Sequence, residues 1–106
     1  MNLADSWVFT LEEKKLQENK ITVVFPQGLP VLLIKKAGRL YALSNKCAHM
    51  ACGMESGVLK EFTLKCPCHD WRYDIRTGAF LDAAEIRIPV YELKVSEGNI
   101  YIKMEE

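Results

Sequence analysis

Every cysteine and every histidine of this chain falls between positions 47 and 69: Cys47, His49, Cys52, Cys66, Cys68 and His69. The rest of the 106 residues contain neither type. Thiolates and imidazoles concentrated in this way are what a soft or borderline metal centre requires, because each presents a lone pair once deprotonated. The remaining sequence therefore has to build a scaffold around one short, chemically loaded segment.

One domain is all that a chain of this length supports. Lys plus Arg and Asp plus Glu each total 14, so the formal net charge is zero. That balance offers no basic stripe for nucleic acid and no attraction to an anionic membrane surface. No apolar stretch is long enough for a membrane span. The first residues, Met1-Asn2-Leu3-Ala4-Asp5-Ser6, lack a basic region followed by an apolar one. The expectation is a cytoplasmic chain with neither membrane nor nucleic acid among its partners.

On either side of the Cys/His segment the chain is written in short strands. Trp7-Val8-Phe9 is β-prone, and Thr10 with Glu13 resembles a capping box that opens a brief helical turn. Ile21 to Phe25 is a β-branched run closed by Pro26-Gln27-Gly28-Leu29-Pro30. Val31–Lys35 and Arg39–Leu43 flank Lys36-Ala37-Gly38 as a tight hairpin. Arg72-Tyr73-Asp74 and Ala79-Phe80-Leu81 suggest another. Ile86 to Val95 alternates with Pro89 interrupting it, Ser96-Glu97-Gly98-Asn99 is a turn, and Ile100–Lys103 closes the chain. No segment sustains a helical apolar period. The fold class is all-β, built of short antiparallel strands, with a base of residues 1–44 and 83–106 and a metal-bearing insertion of 45–82.

The candidate ligands form two modules, Cys47-Ala48-His49 and Cys66-Pro67-Cys68-His69, with sixteen residues between His49 and Cys66. Neither has the spacing of a usual structural zinc knuckle. Each supplies one thiolate and one imidazole. Two such loops can place both thiolates on one iron and both imidazoles on the other iron of a [2Fe–2S] cluster.

Cys-x-His followed by Cys-x-x-His resembles the ligand signature of the Rieske family. The run Cys66-Pro67-Cys68-His69-Asp70-Trp71-Arg72-Tyr73-Asp74, with Thr77-Gly78 after it, is similar to the corresponding segment of Rieske ferredoxins. Tyr41-Ala42-Leu43, Gly57 and Gly98-Asn99 extend the likeness over most of the chain. The resemblance implies that Cys47 and Cys66 bind one iron and that His49 and His69 bind the other. It also implies a Rieske-type fold of three small antiparallel sheets with the cluster at one tip. Cys52 and Cys68 match the extra pair of respiratory-type Rieske proteins, where they form a disulfide. The other reading is two buried thiols that pack as small hydrophobes.

Departures from the family bear on redox potential. Trp71 stands where respiratory-type proteins carry a Ser that bonds a bridging sulfide. Tyr73 matches an aromatic position whose hydroxyl, in the respiratory type, reaches a ligand sulfur; plain core packing is the other reading. Hydrogen bonds to cluster sulfur raise the potential, so a value within about −150 to +300 mV but below the top of that range is expected. Imidazole ligation further implies a potential that falls as pH rises past the pKa of the ligands' second ring nitrogen. Asp70 and Ala51 stand where Gly is usual, and Asp tolerates positive φ better than Ala. Trp71 reads as a packing residue rather than an electron relay, and Met50 and Met54 as apolar cover. Lys60, Lys65, Arg72 and Arg76 interleave with Glu55, Glu61, Asp70 and Asp74 as a solvated mixed face. A third loop, Asp82 to Ile86, is expected near Pro89.

The resemblance implies a soluble one-electron carrier rather than an enzyme, with a flavin reductase as donor and a terminal oxygenase or reductase as acceptor. The alternative within redox chemistry is a tightly bound small subunit like that of nitrite reductase or arsenite oxidase. Both histidines are already used, so no mononuclear 2-His-1-carboxylate iron site can be assembled, and no G-x-G-x-x-G is present. A Cys2His2 zinc site and a thiol–disulfide enzyme using Cys66-Pro67-Cys68 are readings from other classes. Colour separates the first from a cluster, since zinc leaves a protein colourless. The second requires an exposed thiolate of low pKa.

Overall fold

The computed structural model describes residues 6–45, 53–68 and 70–104. Eleven strands run through them: β1 (Ser6–Glu12), β2 (Ile21–Val24), β3 (Val31–Lys36), β4 (Arg39–Ser44), β5 (Val58–Lys60), β6 (Thr63–Lys65), β7 (Arg72–Asp74), β8 (Ala79–Phe80), β9 (Ala83–Arg87), β10 (Leu93–Ser96) and β11 (Asn99–Met104). They form three sheets, ordered β1-β11-β10, β2-β3-β4 and β5-β6-β7-β8-β9. Every pairing between these strands is antiparallel. The all-β architecture of small antiparallel sheets is as the sequence led one to expect.

Strand β3 shows how the layers are held. Val31, Leu32, Leu33 and Ile34 are all fully buried, yet they alternate between two cores. Leu32 and Ile34 pack with Leu43, Met54, Leu64, Cys66, Tyr73, Ile75, Phe80 and Ile88. Val31 and Leu33 pack with Leu16, Val24, Ala42, Ile100, Ile102 and Met104. A period of two with both faces apolar is the mark of a strand covered on both sides. Each such side chain contributes about 1.5–3 kcal/mol by leaving water.

The hairpin between β3 and β4 turns on Ala37 (φ 55°) and Gly38 (φ 76°). Two left-handed residues in succession match the twist of the flanking strands. Alanine is rarely found there, and the Glu18 carboxylate holds the turn by accepting the N–H groups of both Ala37 and Gly38.

Three local expectations are corrected. The Thr10–Glu13 capping box does not form. Strand β1 continues through Thr10 to Glu12, and Thr10 Oγ1 donates to the Ile100 carbonyl (2.9 Å) where the ladder bulges between Phe9 and Leu11. Only a 3-10 turn, Glu13–Lys15, follows, with no side-chain cap. Long-range pairing with β11 outweighs a weak local preference. The run from Ile86 to Val95 is not one interrupted strand, because β9 ends at Arg87 and β10 starts at Leu93. Between them the chain lies along β4: the Pro89 carbonyl accepts Ser44 N–H (2.9 Å), and Tyr91 N–H donates to the Ala42 carbonyl (2.9 Å). Proline can take part here because only its carbonyl is needed. The expected third loop, 82–86, is for the most part strand β9, paired with β8.

Candidate metal centre

Of the four expected ligands, Cys66 is among the described residues; Cys47, His49 and His69 lie outside them, as does Cys52. Cys66 follows β6 directly and is fully buried as a thiol. Its N–H donates to the Trp71 carbonyl (2.7 Å), and its carbonyl accepts Asp70 N–H (3.1 Å). These two bonds extend the β6–β7 ladder, in which Leu64 faces Tyr73 and Lys65 faces Arg72, and close a loop of residues 67–70. Asp70 makes the return with φ 60°, the left-handed conformation that its position suggested. Pro67 and Cys68 are exposed on this loop, so burial as a small hydrophobe does not describe Cys68.

The residues that follow the other ligand segment reach the same end of the sheet. Val58 faces Lys65 across β5 and β6, so the chain enters β5 beside the point where Cys66 leaves β6. Gly57 makes that approach possible. A Cβ there would lie 2.4 Å from the Lys65 carbonyl oxygen and 3.1 Å from that of Met54. Gly57 N–H donates to the Met54 carbonyl (2.9 Å), and Met54 is fully buried in the same core as Cys66 and Tyr73.

At the strand end that precedes the first segment stands Asn45, which reading the sequence missed. It is 8% exposed. Its Oδ1 accepts Met54 N–H (2.7 Å) and its Nδ2 donates to Glu55 Oε1 (2.8 Å). That hydrogen bond is the main reason the Glu55 carboxyl sits below its ordinary pKa. The available signal was a lone amide between an apolar strand and the first Cys module.

Aromatic packing supports the second loop. Trp71 is half-buried and stacks on Phe80, which in turn lies tilted against the fully buried Tyr73 (5.8 Å). Some of the interleaved charges form ion pairs. Arg76 grips Asp74 through Nε and Nη2, both at 3.0 Å, and lies over the Phe62 ring at 4.5 Å. Hydrogen bonding from Arg76 outweighs burial and holds the Asp74 carboxyl below the usual range. Lys65–Asp70 (3.7 Å) and Arg72–Asp82 (4.0 Å) are looser. The mixed face is as expected, and exposed pairs of this kind add little stability.

A buried thiol at a strand end, beside the exit of a second Cys/His segment, fits a thiolate-ligated cluster. Comparison with known proteins agrees. The Rieske [2Fe-2S] domain matches residues 6–92. The ferredoxin component of the naphthalene 1,2-dioxygenase/salicylate 5-hydroxylase systems of Ralstonia sp is 28% identical over 104 residues, 97% of this chain and 100% of its own. The ferredoxin component of the naphthalene 1,2-dioxygenase system of Pseudomonas aeruginosa is 27% identical, with 96% and 99% covered. Among solved structures, the ferredoxin of carbazole 1,9a-dioxygenase from Nocardioides aromaticivorans IC177 superimposes with a TM-score of 0.86 at 25% identity, over 94% of this chain and 99% of that one. The terminal oxygenase from the same source gives 0.85 at 25% identity, but over only 31% of its length.

Proposed function

This chain belongs to the Rieske [2Fe-2S] family, and from that premise we propose that it is the ferredoxin component of a multicomponent oxygenase or reductase system. It carries one [2Fe–2S] cluster and serves as a one-electron carrier. In the proposed system a flavin reductase is the donor and a terminal oxygenase or reductase the acceptor. The observation that carries this reading is one of extent. The chain matches ferredoxin components over essentially their whole length, but under a third of the terminal oxygenase.

Cys47 and Cys66 would hold one iron and His49 and His69 the other. Support comes from the two modules and from the burial of Cys66. When bound, the cluster supplies a site that accepts and releases a single electron. The chain's residues do the remaining work: the core around Met54 and Tyr73 keeps water from the Cys66 side, and Pro67 and Cys68 on the loop after it are exposed. Trp71 and Tyr73 would tune the potential from beneath that loop. Cys52 and Cys68 would form a disulfide joining the two segments. The support is their place in the sequence, one in each ligand segment, at the positions of the extra pair of respiratory-type Rieske proteins. The whole works as one domain, a base of 1–44 and 83–106 bearing the 45–82 insertion, in the cytoplasm.

Anaerobic purification followed by iron and sulfide analysis, visible spectra and EPR of the reduced protein tests the centre. Equal iron and inorganic sulfide, with a potential that falls at alkaline pH, is the expected result. Material without sulfide would sink the reading. Mixing the reduced protein with candidate terminal oxygenases and following reoxidation tests the role, and fractionation tests the compartment.

A further inference from the structure

The carboxamide of Asn45 spans the two ends of the first ligand segment. Strand β4 ends at Ser44 and Met54 is fully buried in the core, and Asn45 is tied to residues on both sides of the segment between them. Its own N–H donates to the Pro30 carbonyl (3.1 Å), which fastens it to the scaffold. Its Oδ1 accepts Met54 N–H, and its Nδ2 reaches Glu55 Oε1. The Glu55 carboxylate folds back over Gly53, where an added Cβ would lie 2.8 Å from Oε1. Asn45 is the buried polar side chain among the described residues, and no buried side-chain nitrogen or oxygen described is left without a partner. A buried amide that meets these demands is costly to replace, because Met54 N–H would lose its acceptor.

We propose that Asn45 is a positioning residue for the cluster. By fixing the separation of residues 45 and 54 it sets where Cys47 and His49 are presented. The inference rests on reading those two as ligands. Asn45 lies two positions before Cys47, so the tie acts close to the donor atoms. Groups that orient ligands from behind in this way govern how tightly a metal centre is kept.

The test is the rate at which reconstituted protein loses its visible absorbance to an iron chelator. Asn45→Ala is expected to lose its cluster about tenfold faster than the wild type. Its EPR signal is expected to broaden as the ligand geometry becomes heterogeneous. Ile102→Ala, in the core shared by β3 and β11, is the control for general destabilisation. It is expected to lower the melting temperature at least as much while holding the cluster like the wild type. Asn45→Asp alone places two carboxylates together and is expected to be as labile as Asn45→Ala. Asn45→Asp with Glu55→Gln keeps an acceptor for Met54 N–H and restores the second hydrogen bond with its polarity reversed, residue 55 now donating, and is expected to recover most of the retention. Equal cluster loss from Asn45→Ala and Ile102→Ala, or no recovery in the double variant, would overturn the role of Asn45 alone. A wild-type chain that assembles no cluster would overturn the ligand reading beneath it as well.

Discussion

Trp71 lies flat against Phe80, with ring centroids 4.1 Å apart and planes 11° from parallel. The contact joins the first residue after the second ligand loop to the strand beneath it, so the loop's exit is held by ring packing. An aromatic pair of this kind contributes about 0.5–1.5 kcal/mol beyond the area it buries. Trp71→Ser exchanges that packing for a hydroxyl at the position where respiratory-type relatives bond a bridging sulfide. The melting temperature is expected to fall, with a loss of about 3 kcal/mol. The reduction potential is expected to rise. Protein-film voltammetry beside a thermal melt separates the two effects, and an unchanged potential would show that the hydroxyl does not reach sulfur.

Asp70 is held at φ 60° and is largely exposed, with Lys65 as a loose ionic neighbour at 3.7 Å. Asp70→Gly removes the strain of a side chain in the left-handed region, a gain of up to about 1 kcal/mol. Loss of the exposed ion pair offsets little of this. Removing a negative charge beside the second ligand module also favours the electron-rich state, so the potential is expected to rise. Voltammetry at low and high salt checks this, since the shift is expected to shrink as ionic strength screens it.

Arg76 holds the Asp74 carboxyl below its ordinary pKa of 3.8, chiefly by hydrogen bonding and against the opposing effect of burial. A carboxyl that is more acidic in the folded chain leaves the unfolded chain to bind protons first on acidification. The stability from this fork is therefore complete above the ordinary carboxylate range and drains away as pH falls through it toward the folded value. Arg76 is half exposed and Asp74 partly open to water, so solvent screening keeps the effect small. Urea midpoints for the wild type and Asp74→Asn, taken from neutral pH downward, are expected to converge in acid. Midpoints that differ by the same amount at every pH would contradict the assignment.

Gly57 permits the close approach to β6 of the chain that leads into β5. Gly57→Ala places a methyl group 2.4 Å from the Lys65 carbonyl oxygen, and a backbone atom cannot step aside as a side chain can. A loss of about 3 kcal/mol is expected, the upper range for overpacking, together with slower cluster assembly. Denaturant unfolding and the time course of reconstitution measure the two.

What the sequence made legible was local. The hairpins at Lys36–Arg39 and Ser96–Asn99 were signalled by turn residues, and the left-handed Asp70 by an Asp where Gly is usual. The solvated mixed face followed from the interleaving of its charges. What stayed hidden depends on partners far apart in the chain. Thr10 reads as a helix cap until Ile100 is beside it, and residues 83–86 read as a loop until β8 pairs with them. Asn45 resembles any polar strand end, because its meaning lies in Met54 and Glu55 across a segment whose path sequence does not show. The division into three small sheets was implied by family resemblance and not by periodicity, and the strand order within them was not legible.

Strand β1 is zipped to β11, with Ser6 opposite Met104. Strand β1 must therefore wait for β11 to complete its ladder, while the β5–β6 and β6–β7 hairpins close over a few residues each. Contacts that distant form late, and near ones early. The hairpins that lead into and out of the Cys66 loop are therefore expected to form before the outer clasp of β1 on β11 closes.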